Sequence, residues 1–236
     1  MSMTTAPSPA TAPVSVPGRW RQLVADWSSD RQAFQVSWGK AMMWIFLLSD
    51  TFIFSCFLIG YMTVRISSTI PWPNPSLVFG LKIGSTEVPL LLIAIMTFVL
   101  ISSSGTMAMA VNFAYRRERV KAAILMLATA GFGVCFVSMQ MFEWSKLILQ
   151  EGVRPWGNPM GAPQFGSTFF MITGFHGLHV TAGVIYLITV AVRLLKGRYD
   201  EVGKTGGNYQ IVEIAGLYWH FVDLVWVFIF ALFYLW

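Results

Sequence analysis

Residues 122–142 read AAILMLATAGFGVCFVSMQMF, 21 positions without one charged side chain. At about 1.5 Å of rise per residue such a run covers about 30 Å, the thickness of the hydrocarbon core of a bilayer. Lipid offers no partner to backbone N–H and C=O groups, and the period-two alternation of a barrel strand is absent, so the run must close its hydrogen bonds internally as a helix. Working outward, four further stretches are predominantly apolar over the 20 or so residues that a span needs: 41–63, 88–110, 167–192 and 214–236. With 56% hydrophobic and 11% charged residues in 236, the chain is too apolar for the surface of a soluble domain of its length. The sequence predicts an all-α integral membrane bundle of five transmembrane helices, formed as one domain by residues 41–236.

The remaining N-terminal part divides in two. Residues 1–18 are rich in Pro, Ala, Ser and Thr and lack both the early positive charge and the apolar run of a secretory signal, so a flexible cytoplasmic tail is expected. Residues 19–40 place Trp20, Trp27, Phe34 and Trp38 among charges, which suits an amphipathic surface segment or a plain approach peptide.

The net charge of +5 and the pI of about 9.4 are explained by where the cations lie. Of the 16 Lys and Arg, 12 fall before the first span and in the connections 111–121 and 193–213, and 4 fall in the other two connections. By the positive-inside rule the N-terminus and the 12-cation connections face the cytoplasm, and five spans then leave the C-terminus outside, so no nucleic-acid partner is needed. Cys56 and Cys135 both lie within spans and read as small apolar packing residues, without a disulfide or CxxC pattern. There is no internal repeat and no span broken by paired Gly and Pro at mid-depth, which argues against an inverted-repeat transporter.

Ionisable groups at membrane depth are costly, and each is a candidate for function or for helix association. Asp50 falls near mid-bilayer in the first span, with His176 and His179 at similar depth in the fourth. In the fifth span Glu213, Gly216, His220 and Asp223 follow a 3, 4, 3 spacing that makes one polar stripe, and Glu143 lies toward the outer end of the third. The pair His176/His179 is the best nucleus for a metal, but three histidines in the whole chain leave little for haem ligation. The favoured reading is interhelical hydrogen bonding, made accessible by Gly174, Gly177, Gly183 and Gly216, with proton conduction as an intermediate alternative. Asp50 is expected to meet His176 and His179, with Thr173 as a lesser partner. Trp38, Trp72, Trp144, Trp156 and Trp236 fall near predicted interfaces as anchors, and IPWPNP at 70–75 reads as a stiff extended outer connection.

Beyond periodicity, STFFMITGFHGLHV at 167–180 closely resembles the STFF-x-x-TGFHGLHV signature of the cytochrome c oxidase subunit III family, and YWHFVDLVW at 218–226 resembles its YWHFVD-x-VW signature. TEVPLL at 86–91, the small residues Ser103-Ser104-Gly105, and QMFEW at 140–144 are similar to further family segments, so the likeness covers about residues 44–236. Two departures stand out. The long family form has seven helices and a lipid-filled cleft between the first two and the rest, whereas this chain has the five of the shorter bacterial form. LSDT at 48–51 places Asp50 where the family carries an intramembrane glutamate.

The resemblance implies a subunit without redox centres in a proton-pumping haem-copper terminal oxidase of aerobic respiration, in a bacterial inner membrane. Haem and copper are then expected in partner subunits I and II, with none in this chain. The implied roles are to stabilise subunit I, to bind membrane phospholipid and to sustain proton uptake, with Arg193 at a family position associated with lipid phosphate. The residues carried over as buried polar motif positions are Asp50, Glu143, His176, His179, His220 and Asp223; no catalytic or metal residue is expected. A quinol oxidase third subunit or the accessory protein of nitric oxide reductase would keep the same fold, while an independent transporter or a haem-binding electron-transfer protein would be other classes.

Overall fold

A computed structural model of the chain describes residues 37–83, 86–88, 90–199 and 209–236. The chain divides into two units, Met1–Trp38 and Gly39–Trp236, and the account below concerns the second. The tail expected at 1–18 and the aromatic positions Trp20, Trp27 and Phe34 lie outside the described residues.

Helix α1 spans Trp38–Ser67, a one-turn α2 spans Pro75–Val78, and strands β1 (Leu81–Ile83) and β2 (Thr86–Val88) pair antiparallel with Leu81 opposite Val88. Then come α3 (Leu91–Tyr115), α4 (Arg119–Leu149), α5 (Gln164–Leu195) and α6 (Gln210–Phe230), the last continuing as a π-helical turn over Ala231–Leu235. Five of these helices are long and apolar enough to cross a membrane. All five expected spans are therefore present, but their edges differ from the apolar runs. α4 has 31 residues and α5 has 32, so each is about 46–48 Å long and extends past the hydrocarbon core into the headgroup zone. The expected start of the second span at Val88 is corrected: Val88 closes the short hairpin, and α3 begins at Leu91.

Helices α3, α4, α5 and α6 pack in succession around a ring, with α6 closing against α3. α6 supplies most of the centre. Half of its apolar window is buried against 17% of that of α1, which leans on the ring from outside. Two tryptophans fix α6 to α3. Trp219 donates its indole N–H to Ser103 Oγ at 2.9 Å, and Trp226 donates to Thr97 Oγ1 at 3.1 Å. Each hydroxyl in turn donates to a carbonyl of its own helix, Ser103 to Leu100 O and Thr97 to Ile93 O, so donor and acceptor capacity are both used. α1 is held chiefly by Phe54, whose ring lies 5.2 Å from Phe175, 5.4 Å from His179 and 6.4 Å from Phe221, and by Tyr61, which donates to Leu232 O at the far end.

Glycines admit aromatic rings where close backbone approach was expected. A Cβ on Gly183 would stand about 3.0–3.2 Å from the rings of Tyr218 and Trp219, and one on Gly174 3.1 Å from Trp144. Gly177 differs, because nothing lies within 4 Å of its Cβ position. The connections that follow α1 and α4 are tied together: Ala162 N–H donates to Pro71 O at 3.2 Å, and a Cβ on Gly161 would sit 2.5 Å from that same oxygen. The 70–75 connection is thus a fixed support. α5 stops at Gly197, whose φ of 68° suits a residue without Cβ.

Cys56 and Cys135 are exposed on the outer surface of the bundle, which corrects their expected place in the packing. Of the expected interfacial anchors, Trp72 packs at 5.7 Å against Tyr61 and Trp144 at 5.3 Å against Phe170, both partly buried, and Trp38, Trp156 and Trp236 are exposed.

Gly133 gives the packing a direct test. Its Cβ would lie 2.6 Å from both Trp219 Cη2 and Val184 Cγ2, while Gly131, two residues away on α4, has open space. Gly133→Ala is expected to destabilise the folded chain by about 1–3 kcal/mol through overpacking, and Gly131→Ala to be neutral or stabilising by up to about 1 kcal/mol. Detergent-induced unfolding midpoints check this; equal effects of the two substitutions would refute the packing described.

Candidate functional site: buried polar pairs between the helices

Asp50 leaves α1 at mid-helix, 5% exposed, and its Oδ2 lies 3.0 Å from His179 Nε2 on α5. The other ring nitrogen of His179 lies 2.8 Å from Phe175 O, one turn back. A carbonyl oxygen only accepts, so Nδ1 carries a hydrogen. The pair then holds one further proton between Nε2 and the carboxyl oxygen, as imidazolium with carboxylate or as neutral imidazole with carboxylic acid. In either form both groups are hydrogen-bonded. Tyr218 on α6 donates to His179 O at 2.9 Å and so joins a third helix to this point.

The other two expected partners of Asp50 are corrected. His176 is three residues before His179, which turns it about 60° around α5 and into the ring of helices. There it stacks on Trp226 with centroids 5.4 Å apart and meets the Phe136 ring edge-on at 5.9 Å. It is 1% exposed, and neither nitrogen has a hydrogen-bond partner among the described residues. Thr173 donates to Phe169 O at 2.7 Å, the back-bond to the preceding turn that a helical threonine makes when no neighbour competes.

The stripe on α6 faces α3 and the start of α1. Glu213 pairs with Lys40 of α1, with the Tyr115 hydroxyl beside the same carboxylate. One turn farther in, Gly216 receives the side chains of Val111 and Met107. His220 Nδ1 is hydrogen-bonded to the Ser104 hydroxyl, which also lies beside the Asp223 carboxyl. At the opposite end of the bundle, Glu143 Oε2 accepts from Gln140 Nε2 at 2.8 Å and from the Tyr234 hydroxyl at 3.3 Å. The π-helical turn places that tyrosine, 2% exposed, on the carboxyl.

The structure therefore keeps the six polar residues in four separate places. Asp50 and His179 form one pair, His220 and Asp223 a second group, and Glu143 a third; His176 stands alone among aromatic rings. Among the described residues no three His, Cys, Asp or Glu side chains converge as a metal-ligating group. Tyr234, Tyr218 and Lys40 were not singled out from sequence. The i, i+3 spacing of Gln140 and Glu143 was a readable signal, while a tyrosine beyond the regular α-helix was not. Arg193 is exposed near the end of α5, in a groove of about 360 Å³ that also presents Thr189, Lys196 and Arg198.

Fold and site together define a polytopic α-helical membrane protein whose intramembrane polar groups mostly bond from helix to helix. The cytochrome c oxidase subunit III family model matches residues 18–236, and the chain belongs to that family. It is 31% identical over 227 residues to cytochrome c oxidase subunit 3 of Rhipicephalus sanguineus, covering 92% of this chain and 79% of the relative. It is 29% identical to a probable quinol oxidase subunit 3 of Staphylococcus epidermidis, covering 87% and 92%. It is 33% identical to cytochrome c oxidase subunit 3 of Synechocystis sp., covering 81% and 72%. The chain is thus a third subunit of the haem-copper oxidase kind.

The proton arithmetic at Asp50 makes a sharp expectation. In Asp50→Asn the amide N–H can donate to a neutral His179 Nε2, so the link survives. In Asp50→Leu that nitrogen is left buried and unbonded, a cost of about 1–3 kcal/mol. Unfolding midpoints of the detergent-solubilised protein should rank wild type, then Asn, then Leu; an Asn variant as damaged as Leu would show that the histidine cannot accept a hydrogen bond.

Proposed function

We propose that this chain is the subunit of its oxidase that carries no redox centre of its own, seated beside subunits I and II, where the haems and copper lie. On this reading it stabilises subunit I, holds phospholipid at its margin and sustains proton uptake in a bacterial inner membrane. The observation that carries the reading is the Asp50–His179 pair: the buried carboxylate of α1 is spent on a contact between helices, 3.0 Å long and walled by Phe54 and Phe175. A catalytic or conducting group needs an open approach for substrate or water.

Lipid holding is supported by the margin of α5. Arg193, Lys196 and Arg198 gather along one groove at the end of a span, where a planar guanidinium and two further cations suit a phosphate headgroup. The same end carries connections rich in Lys and Arg, which on the positive-inside rule face the cytoplasm and leave Trp236 outside. Residues 1–40 then form a cytoplasmic tail and surface segment, and 41–236 the membrane domain. The likeness to a probable quinol oxidase subunit 3 over 92% of that relative supports quinol as an alternative electron donor for the complex, a choice made by a companion chain.

Purification through a tag in mild detergent should bring down larger partner chains together with a haem absorption spectrum, and separation of this chain should leave the haem and copper with the partners. Stoichiometric haem on the separated chain, lost on His176→Ala or His179→Ala, would refute the non-redox role. A cysteine placed at Arg116 should resist an impermeant thiol reagent added from the periplasmic side. In reconstituted vesicles Asp50→Asn should pump protons at nearly the wild-type ratio and lose activity sooner; abolished pumping with normal initial turnover and the subunit retained would make Asp50 part of an obligatory proton path.

A further inference from the structure

His220 stands on the flank of α6 between two neighbours. Its Nδ1 is hydrogen-bonded to Ser104 of α3, and the same residue lines a groove of about 360 Å³ that α6 forms with Trp44, Leu48 and Thr51 of α1. It lies ten residues into α6, about 15 Å from the start of the helix and so near the middle of the span. The centre of the bundle is filled from this helix by Trp219 and Trp226, both fully buried, whereas His220 is only partly covered. Its Nε2 has no hydrogen bond among the described residues and, unlike the nitrogens of His176, is open to the outside. An imidazole left open to hydrocarbon at that depth is costly, and such a group is ordinarily turned toward protein.

The surroundings of His220 form a valley with α6 as its floor. Leu224 and Val227 follow on the same face, four and seven residues on, and are 55% and 41% exposed. On the α3 wall Ala108 lies one turn from Ser104 with Gly105 beside them; both are exposed, and nothing lies within 4 Å of the Cβ position of Gly105. On the α1 wall Leu48 is 60% exposed. The walls are joined at one end, because Lys40 of α1 and Tyr115 of α3 both reach the Glu213 carboxylate. Small residues let a further helix approach the backbone closely, and a polar group at mid-depth gives that helix a register. A lipid acyl chain fills space there but offers His220 no bond. The tautomer fixes what the occupant must carry. Ser104 has one hydroxyl hydrogen and the Asp223 carboxyl beside it; with that hydrogen given to the carboxylate, its oxygen accepts from Nδ1–H, and Nε2 is left as an acceptor.

We propose that this valley seats one transmembrane helix of the haem-bearing partner chain, and that a side-chain O–H or N–H on that helix donates to His220 Nε2 near the middle of the bilayer. The inference rests on the place proposed above for this chain beside subunit I and names the face that makes the contact. Ser104, Gly105 and Ala108 set how close the incoming helix comes, and His220 sets its register.

The test uses the tagged complex in mild detergent, with a photoreactive benzophenone amino acid placed in turn at Leu224, at Ala108 and, on another exposed face, at Ile124 of α4. Cross-links are mapped by peptide mass spectrometry. From Leu224 and Ala108 they are expected on one transmembrane peptide of the haem-bearing chain, and from Ile124 on none. Gly105→Leu builds into open space and so leaves the packing of this chain alone. It should speed the loss of this subunit from the complex about tenfold, as overpacking of a close helix contact does, whereas Gly131→Leu, equally open on α4, should leave the loss unchanged. His220→Phe should speed it about threefold, the worth of one hydrogen bond between helices in a membrane. Cross-links from Leu224 and Ala108 to lipid alone, or to a second copy of this chain, would overturn the proposal, as would equal effects of Gly105→Leu and Gly131→Leu. If the partner copurifies but is reached from Ile124 only, this face is refuted and the non-redox role stands; if no partner copurifies, both are refuted.

Discussion

The structure depends on the absence of water inside the bilayer. A polar group there has only protein to bond with, so its position decides which helices meet. Trp219 and Trp226 show the rule in its simplest form: two indole N–H groups, seven residues apart on α6, reach hydroxyls six residues apart on α3, at 2.9 and 3.1 Å. The order of the contacts reverses between the chains, as antiparallel neighbours require. Apolar packing alone would not set this register, because lipid tails compete with leucine and methionine for the same surfaces. The hydrogen bonds set it, and Gly133 and Gly183 provide the room that lets the Trp219 ring enter.

From that core outward, attachment becomes progressively more polar and more local. α1 presents most of its apolar surface away from the ring, with Phe52, Ile59 and Leu48 each at least 60% exposed. What joins it to the other helices is a short series of specific links: Lys40 to Glu213, Asp50 to His179, Phe54 among four aromatic rings, and Tyr61 to Leu232 O. A helix held this way gains much of its specificity from a handful of residues. That accounts physically for an ionisable side chain persisting at Asp50, where an apolar residue would be cheaper to insert but would not choose a partner.

The fold was largely legible because a membrane span is written in composition and length, and five long, predominantly apolar runs, such as 122–142, need no tertiary knowledge. The edges were not, because apolarity reports where lipid begins and α4 and α5 continue helical through the headgroup zone to Leu149 and Leu195. At the site, depth was legible and azimuth only in part. Asp50 and His179 were placed at one level and do meet. His176, at nearly the same level, was assigned the same partner, and the 60° between them sends it to Trp226 instead. Which of two neighbouring faces looks toward α1 depends on how α5 is rotated in the bundle, a quantity set by all its contacts together. The Tyr234–Glu143 bond was less legible still, since a π-helical turn shifts the facing of every residue after it.

The Asp50–His179 pair also explains why the side chain at position 50 has so little freedom. Phe175 O fixes the histidine tautomer, so the acceptor or donor presented to α1 is always Nε2, at one place and in one direction. An aspartate meets it at 3.0 Å from a helix backbone that Phe54 already holds at a set distance. The family's glutamate is longer by one methylene, and in this setting it would need either a bent rotamer or a wider gap between α1 and α5. The spacing of α1 and the length of its carboxylate are therefore coupled. Two grooves lie between α1 and α6, each bordered by Thr51 of α1 and Leu224 of α6, and a wider gap for a longer side chain would be taken up by displacing α1 as a rigid body. Such a displacement moves Lys40 relative to Glu213 and Tyr61 relative to Leu232 together, which ties the two ends of the helix to the choice made at its middle.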